Sequence, residues 1–176
     1  MVSLKHFLFT ALLAVAACAP TPSEPPNGAA QEEVAELWTA ETRTILTGDA
    51  ARSLARQCSR ISPGPVEEVW TPTDAEVAAI EDELILLVAR ELEEASQSPS
   101  PGGYYRQYAG FVIGGQRVIY VNGVDDTAIQ RAPNPNHPFD WRTQPVQICD
   151  GGTITFGAEY NPATHRFSNF AFNGAL

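Results

Sequence analysis

Residues 104–122, YYRQYAGFVIGGQRVIYVN, read as a β-hairpin, and the rest of the fold is inferred outward from them. β-branched and aromatic side chains recur at period two on both sides of Gly114-Gly115, a pair that accepts the positive φ angles of a two-residue hairpin turn. That turn sets Phe111 opposite Val118 and Ala109 opposite Tyr120 on one face. On the other face it sets Val112 opposite Arg117, Gly110 opposite Ile119, and Tyr108 opposite Val121. Both faces are then partly apolar, so both should be at least partly covered.

Residues 144–160, QPVQICDGGTITFGAEY, read as a second hairpin turning at Asp150-Gly151-Gly152, with Cys149, Ile154, Phe156 and Tyr160 on one face. Asn161-Pro162-Ala163-Thr164 is a turn signal ahead of a last strand, RFSNFAFN (166–173), on which Phe170 and Phe172 share a face. The expected sheet is antiparallel, with four or five strands.

Upstream the period changes from two to that of a helix. Val34, Leu37, Trp38 and Ile45 fall on one side of a helix reaching about Thr47, and Gly48 breaks it. Asp49 is the expected cap of a second, short helix to about Arg60, on which Leu54, Cys58 and Ile61 form a stripe. Ser62-Pro63-Gly64-Pro65 then forces a loop. Thr73 and Glu76 make a capping-box signal, the Thr hydroxyl and the Glu carboxylate each able to satisfy an unpaired N–H of the first turn. The helix they open should run to about Ala95. Val77, Ile80, Leu84, Leu87, Val88 and Leu92 form its apolar stripe, and Glu81, Asp82, Glu83, Glu93 and Glu94 face solvent. The fold class is therefore α+β: N-terminal helices and one long amphipathic helix packed on an antiparallel sheet, within one domain spanning 31–176. One long helix covers one face of such a sheet, so the N-terminal helices or the loop from Gly123 to Pro145 must cover part of the other.

The first thirty residues have a different character. Lys5 is a short positive region, Phe7–Ala16 is an apolar stretch too short to span a bilayer, and Val15-Ala16-Ala17-Cys18 follows. This resembles the lipobox of bacterial lipoproteins. The resemblance implies a signal peptide over 1–17, cleavage before Cys18, and acyl chains on that cysteine forming a stable anchor. Ala19 stands where an aspartate would favour inner-membrane retention, so the resemblance implies an outer-membrane protein facing the periplasm. Residues 18–30 add a Pro-rich tether with no apolar period. In that oxidising compartment only Cys58 and Cys149 remain as thiols, which leads to the expectation that they form a disulfide.

Charge narrows the partners. The formal net charge is −10, concentrated in residues 19–94 with 16 acids against five arginines, whereas 95–176 hold five of each. No basic patch exists to neutralise phosphates, so nucleic acid is not an expected partner. The only lysine is Lys5, which excludes Schiff-base and lysine-base chemistry from the mature chain. There is no GxSxG, HExxH, CxxC or phosphate loop. Cys58, Cys149, His137 and His165 are too few and wrongly spaced for zinc, and no metal, cofactor or catalytic residue is expected.

Two regions remain as candidates for function. The loop 122–145, NGVDDTAIQRAPNPNHPFDWRTQP, holds Asp125, Asp126, Arg131, His137, Asp140, Trp141 and Arg142. A small envelope enzyme could use an Asp/His pair there if it were buried in a cleft. Tyr104, Arg106 and Tyr108 share a strand face with Arg117 nearby, and with His137, Asp140 and Trp141 they make up the expected binding surface, because Tyr, Trp and Arg favour interfaces. A deep pocket at Asp140 or His137 would favour the enzyme, and a shallow aromatic, Arg-bearing face the binder. The leading expectation is a lipid-anchored, non-catalytic envelope protein that binds another envelope component.

YYRQYAGFVIGGQRVIYVNG and QPVQICDGG…FGAEYNP resemble stretches of small exported proteins of Proteobacteria with no known activity, which implies no functional residues here. The order of a long helix followed by a curved antiparallel sheet is similar to cystatin-like and NTF2-like folds, a likeness of shape that hosts many functions.

Overall fold

In the computed structural model, which describes residues 38–95, 103–131 and 139–174, the first hairpin forms as strands β3 (Tyr104–Ile113) and β4 (Gln116–Asp125). Its register is the expected one, with Phe111 opposite Val118 and Tyr108 opposite Val121. Gly114 and Gly115 take φ of 58° and 71°, a left-handed pair that matches the twist of the two strands. Around this hairpin the chain builds an α+β structure with a mixed six-stranded sheet, β1 (Arg43–Ile45), β3, β4, β5 (Thr155–Asn161) and β6 (Arg166–Phe172) in that order. The short β2 (Glu68–Trp70) pairs antiparallel with β3 beyond the end of β1.

Four expectations are corrected. Arg43–Ile45, placed in a helix from the sequence, is a strand parallel to β3, so the sheet is mixed and has more than five strands. The β-branched Thr42, Thr44 and Ile45 suit extended backbone, and β3 offers a ladder that an isolated helix period cannot reveal. The short helix α1 runs Gly48–Leu54, with Asp49 in its first turn and not at its cap. It stops at Leu54, so Cys58 and Ile61 are not on its stripe, and Ile61 is 91 % exposed. The second hairpin does not form. Residues 144–150 are irregular, and β5 pairs with β4 and β6.

The long helix α2 (Asp74–Glu94) has both halves of its capping box, the Thr73 hydroxyl accepting from Glu76 N–H and the Glu76 carboxylate from Thr73 N–H. It covers one face of the sheet, burying Val77, Ile80, Leu84, Val88 and Leu92 on Tyr104, Tyr108, Val121 and Ala158. Glycine is required at 123, where the Phe156 ring fills the space a β-carbon would take. On the opposite face α1 packs Ala51 and Leu54 on Ala109, Phe111 and Tyr120, while the loop carrying Trp141 and Val146 covers Val124. Both faces are thus covered as expected, by different segments. A third short helix, α3 (Asp126–Arg131), follows β4.

Amides hold the irregular loops to that second face. Gln107 donates to Trp141 O and Gln144 O at 2.6 and 2.7 Å and accepts from Val146 N–H at 2.8 Å. Asn122 donates to Gln107 Oε1 and Val146 O, each at 3.1 Å. The Arg60 guanidinium spans Tyr120, Asn122, Thr155 and Asn173, all neutral acceptors. Beside it Cys58 and Cys149 are joined in a disulfide, their Cα atoms 5.0 Å apart and both residues exposed. The pairing agrees with expectation, but its buried position does not. Turning loops carry both cysteines at the surface.

Candidate functional site

An open groove of about 520 Å³ runs between one flank of α2 and the start of β6. Glu83, Leu86, Leu87 and Arg90 line it from the helix, and His165, Arg166 and Phe167 from the sheet. A smaller apolar hollow of about 140 Å³ continues it toward the helix N-terminus, past Ala79, Tyr160 and Pro162, with His165 bordering both. The groove follows from topology. One helix cannot cover a twisted sheet to its last strand, and β6 is that strand, pairing only with β5 among the described residues. Phe167, Phe170 and Phe172 are therefore only partly buried, and Leu86 is 49 % exposed.

The polar groups of the groove are arranged for contact. His165 sits at φ 54°, a left-handed position in the four-residue turn after β5, and its Nδ1 lies 3.1 Å from the Tyr160 hydroxyl. Burial, and then the charge of Glu83, raises the Tyr160 pKa, so the phenol stays neutral. Arg90 bonds Glu91 at 2.8 Å, which holds its pKa above the ordinary value. Among the described residues no carboxylate bonds to His165, whose partner is the Tyr160 hydroxyl, so the groove holds no nucleophile–base–carboxylate arrangement. Nor does any described group of three or more His, Cys, Asp or Glu side chains stand ready for a metal ion.

The residues singled out from sequence lie elsewhere. Tyr104, Arg106 and Tyr108 do share a face, but it is the one beneath α2, and all three are buried. Arg106 is 0 % exposed and uses its whole guanidinium internally. It donates to Glu81 Oε1 at 2.8 and 2.9 Å, to the Thr42 hydroxyl at 2.8 Å, to Tyr104 O at 2.9 Å and to Thr39 O at 3.1 Å. Its Cζ also lies 4.3 Å from the centre of the Trp38 ring. These residues form no exposed surface. Arg117 is exposed and lies over the Trp70 ring at 4.6 Å, apart from the other three.

The loop residues are likewise dispersed. Asp125 accepts from Thr127 N–H and hydroxyl at the start of α3, with Asp126 beside it, and Asp140 accepts from Arg142 N–H in a turn. Trp141 is buried edge-on to Tyr105 at 4.8 Å, with Arg142 over its ring. Cys18, His137 and the side chain of Arg131 lie outside the described residues.

Sequence reasoning missed Glu81, whose carboxylate receives Arg106, Arg43 and the Tyr108 hydroxyl although the residue is only 7 % exposed. Its spacing four residues after Val77 and four before Ile85 was a usable signal, because it places a carboxylate within the apolar stripe. The groove itself left a fainter trace in Leu86, an apolar residue off the main stripe. No described helix is long and apolar enough to cross a membrane. No protein-family model, no curated protein and no solved structure matches this chain.

Proposed function

We propose that this protein is a lipid-anchored component of the bacterial cell envelope, held at the outer membrane by Cys18 and facing the periplasm, with a non-catalytic binding role exercised through the α2–β6 groove. The observation that carries the binding role is the groove itself, an open cleft in which Leu86, Leu87 and Phe167 lie among Glu83, Arg90 and Arg166, beside a strand that pairs on one side only among the described residues. Supporting the address are the lipobox-like Val15-Ala16-Ala17-Cys18 and an exposed disulfide, a bond that persists in oxidising compartments. Against an enzyme using the 122–145 loop stands the self-contained bonding of Asp125 and Asp140, each engaged with its own turn.

The address is tested in a diderm bacterial host expressing the full chain. Cys18→Ala should move the protein from the membrane to the soluble periplasmic fraction, while the wild type carries a diacylated or triacylated N-terminus by mass spectrometry. An unmodified N-terminus at Ala17 or Pro20 would refute the anchor.

A further inference from the structure

The apolar centre of the groove is flanked along α2 by one charge of each sign. Glu83 stands toward the N-terminus and Arg90 toward the C-terminus, with Leu86 and Leu87 midway. Seven residues at 1.5 Å each separate the two charges by roughly 10 Å. An antiparallel copy of the helix, related by a two-fold axis at the leucines, sets each Glu83 against Arg90 of the other copy and Leu86 against Leu87. Outward from these, the same two-fold sets Ala79, which lines the adjoining hollow, opposite Glu94, so neither of these two pairs brings like charges together.

We propose that the occupant of the groove is a second copy of this chain, in antiparallel two-fold contact across α2. The inference rests on the groove being the binding surface and adds the identity of the partner. Along α2 this pattern of acid, two leucines and base is complementary to itself, as an isologous contact requires, while Arg166 on the opposite wall adds a second positive charge. The present partners of Arg90 do not block it. Glu91 and Glu94 meet it at 2.8 and 3.9 Å on the surface, with the Arg90 side chain 62 % exposed, and pairs of that kind contribute little. The apolar centre is small, so the contact is weak in free solution, and a shared membrane anchor supplies the effective concentration it needs.

The test places the photo-crosslinking residue p-benzoylphenylalanine at position 86 of the full chain in an exporting bacterium and irradiates intact cells. An adduct of twice the chain mass is expected. Glu83→Arg or Arg90→Glu alone should cut that adduct about tenfold, since each removes two exposed pairs and sets like charges together. The exchange E83R/R90E should restore it to within about threefold. Near-UV circular dichroism and melting should be unchanged in every variant, because both side chains are exposed. An adduct to a different protein would overturn self-association and leave the groove a binding surface. No adduct of any kind would overturn both, and failure of the exchange to restore the dimer would overturn the antiparallel two-fold geometry.

Discussion

Glu81 shows how much one side chain can hold together in this protein. It sits on α2, its carboxylate receives Arg106 from β3 and Arg43 from β1, and Tyr108 donates to the same oxygen as Arg106, at 2.9 Å. Burial first, and the Glu81 charge next, raise the Tyr108 pKa, so that hydroxyl remains a neutral donor throughout the physiological range. Replacing Glu81 by Gln keeps the shape and removes the charge that compensates two guanidiniums. Removing one partner of a buried pair costs about 3–5 kcal/mol. We expect Glu81→Gln to lower the free energy of unfolding by that amount, read as a lower urea midpoint at unchanged slope, and a loss under about 1 kcal/mol would show the network to be dispensable. From sequence this residue was read among the solvated acids. The reason is physical. A carboxylate on a helix defaults to water unless a buried cation faces it, and that cation lies 25 residues away on a strand whose burial depends on the whole sheet.

At the scale of the element, α2 was legible nearly to the residue because its signals are local: a capping box, an apolar stripe and a length. The Gly-Gly hairpin was legible for the same reason. Residues 144–150 were not, because Val146 and Ile148 alternate as a strand would, while Gln107 and Asn122 take the backbone carbonyl and N–H groups that a ladder would have used. β1 and β2 were invisible because their only warrant is the free edge of β3. The capping box makes a pH prediction. The Thr73 backbone N–H, then its hydroxyl, hold the Glu76 pKa below its ordinary value. A carboxyl depressed in the folded state stabilises above its unfolded pKa, and the gain is lost as pH falls through the folded one. Thr73→Ala should therefore cost about 1 kcal/mol near pH 7, and comparing wild-type and variant melting from pH 7 down to pH 3 should show the gap narrowing. The part due to the carboxylate is small, because it lies in water. A gap constant with pH would mean that the Thr73 hydroxyl takes no part in holding the Glu76 carboxylate.

For the whole molecule, the long-range closure is the bond between Cys58 and Cys149, 91 residues apart, which ties the loop after α1 to the loop before β5. Its pairing was deducible from the count of thiols, since the lipobox-like sequence sets Cys18 aside and leaves two. Its exposure was not, because that depends on where α1 ends and on a hairpin that does not form. In the chain-entropy account a loop of this size contributes about 4–5 kcal/mol, and losing a native bridge from a small domain costs about 2–5 kcal/mol. The native contacts on either side of the bond do not depend on it. Asn173 accepts from Arg60 at 2.5 Å and donates to Ile148 O, and Gln147 donates to Ser53 O and Arg56 O at 2.9 and 2.6 Å, so the two loops remain docked when the sulfurs separate. Replacing both cysteines by Ala should thus lower the free energy of unfolding by several kcal/mol while leaving the near-UV spectrum of the folded protein unchanged. Because both residues are exposed, a small dithiol should open the bond in the native protein without denaturant. Cys58→Ala alone leaves Cys149 as a surface thiol, and disulfide-linked dimers should form under oxidising conditions and vanish in the double variant on non-reducing gels. Two maleimide-reactive thiols in unreduced protein would contradict the bond itself. Loss of the near-UV spectrum in the double variant would contradict the claim that Arg60 and the amide layer hold the loops alone.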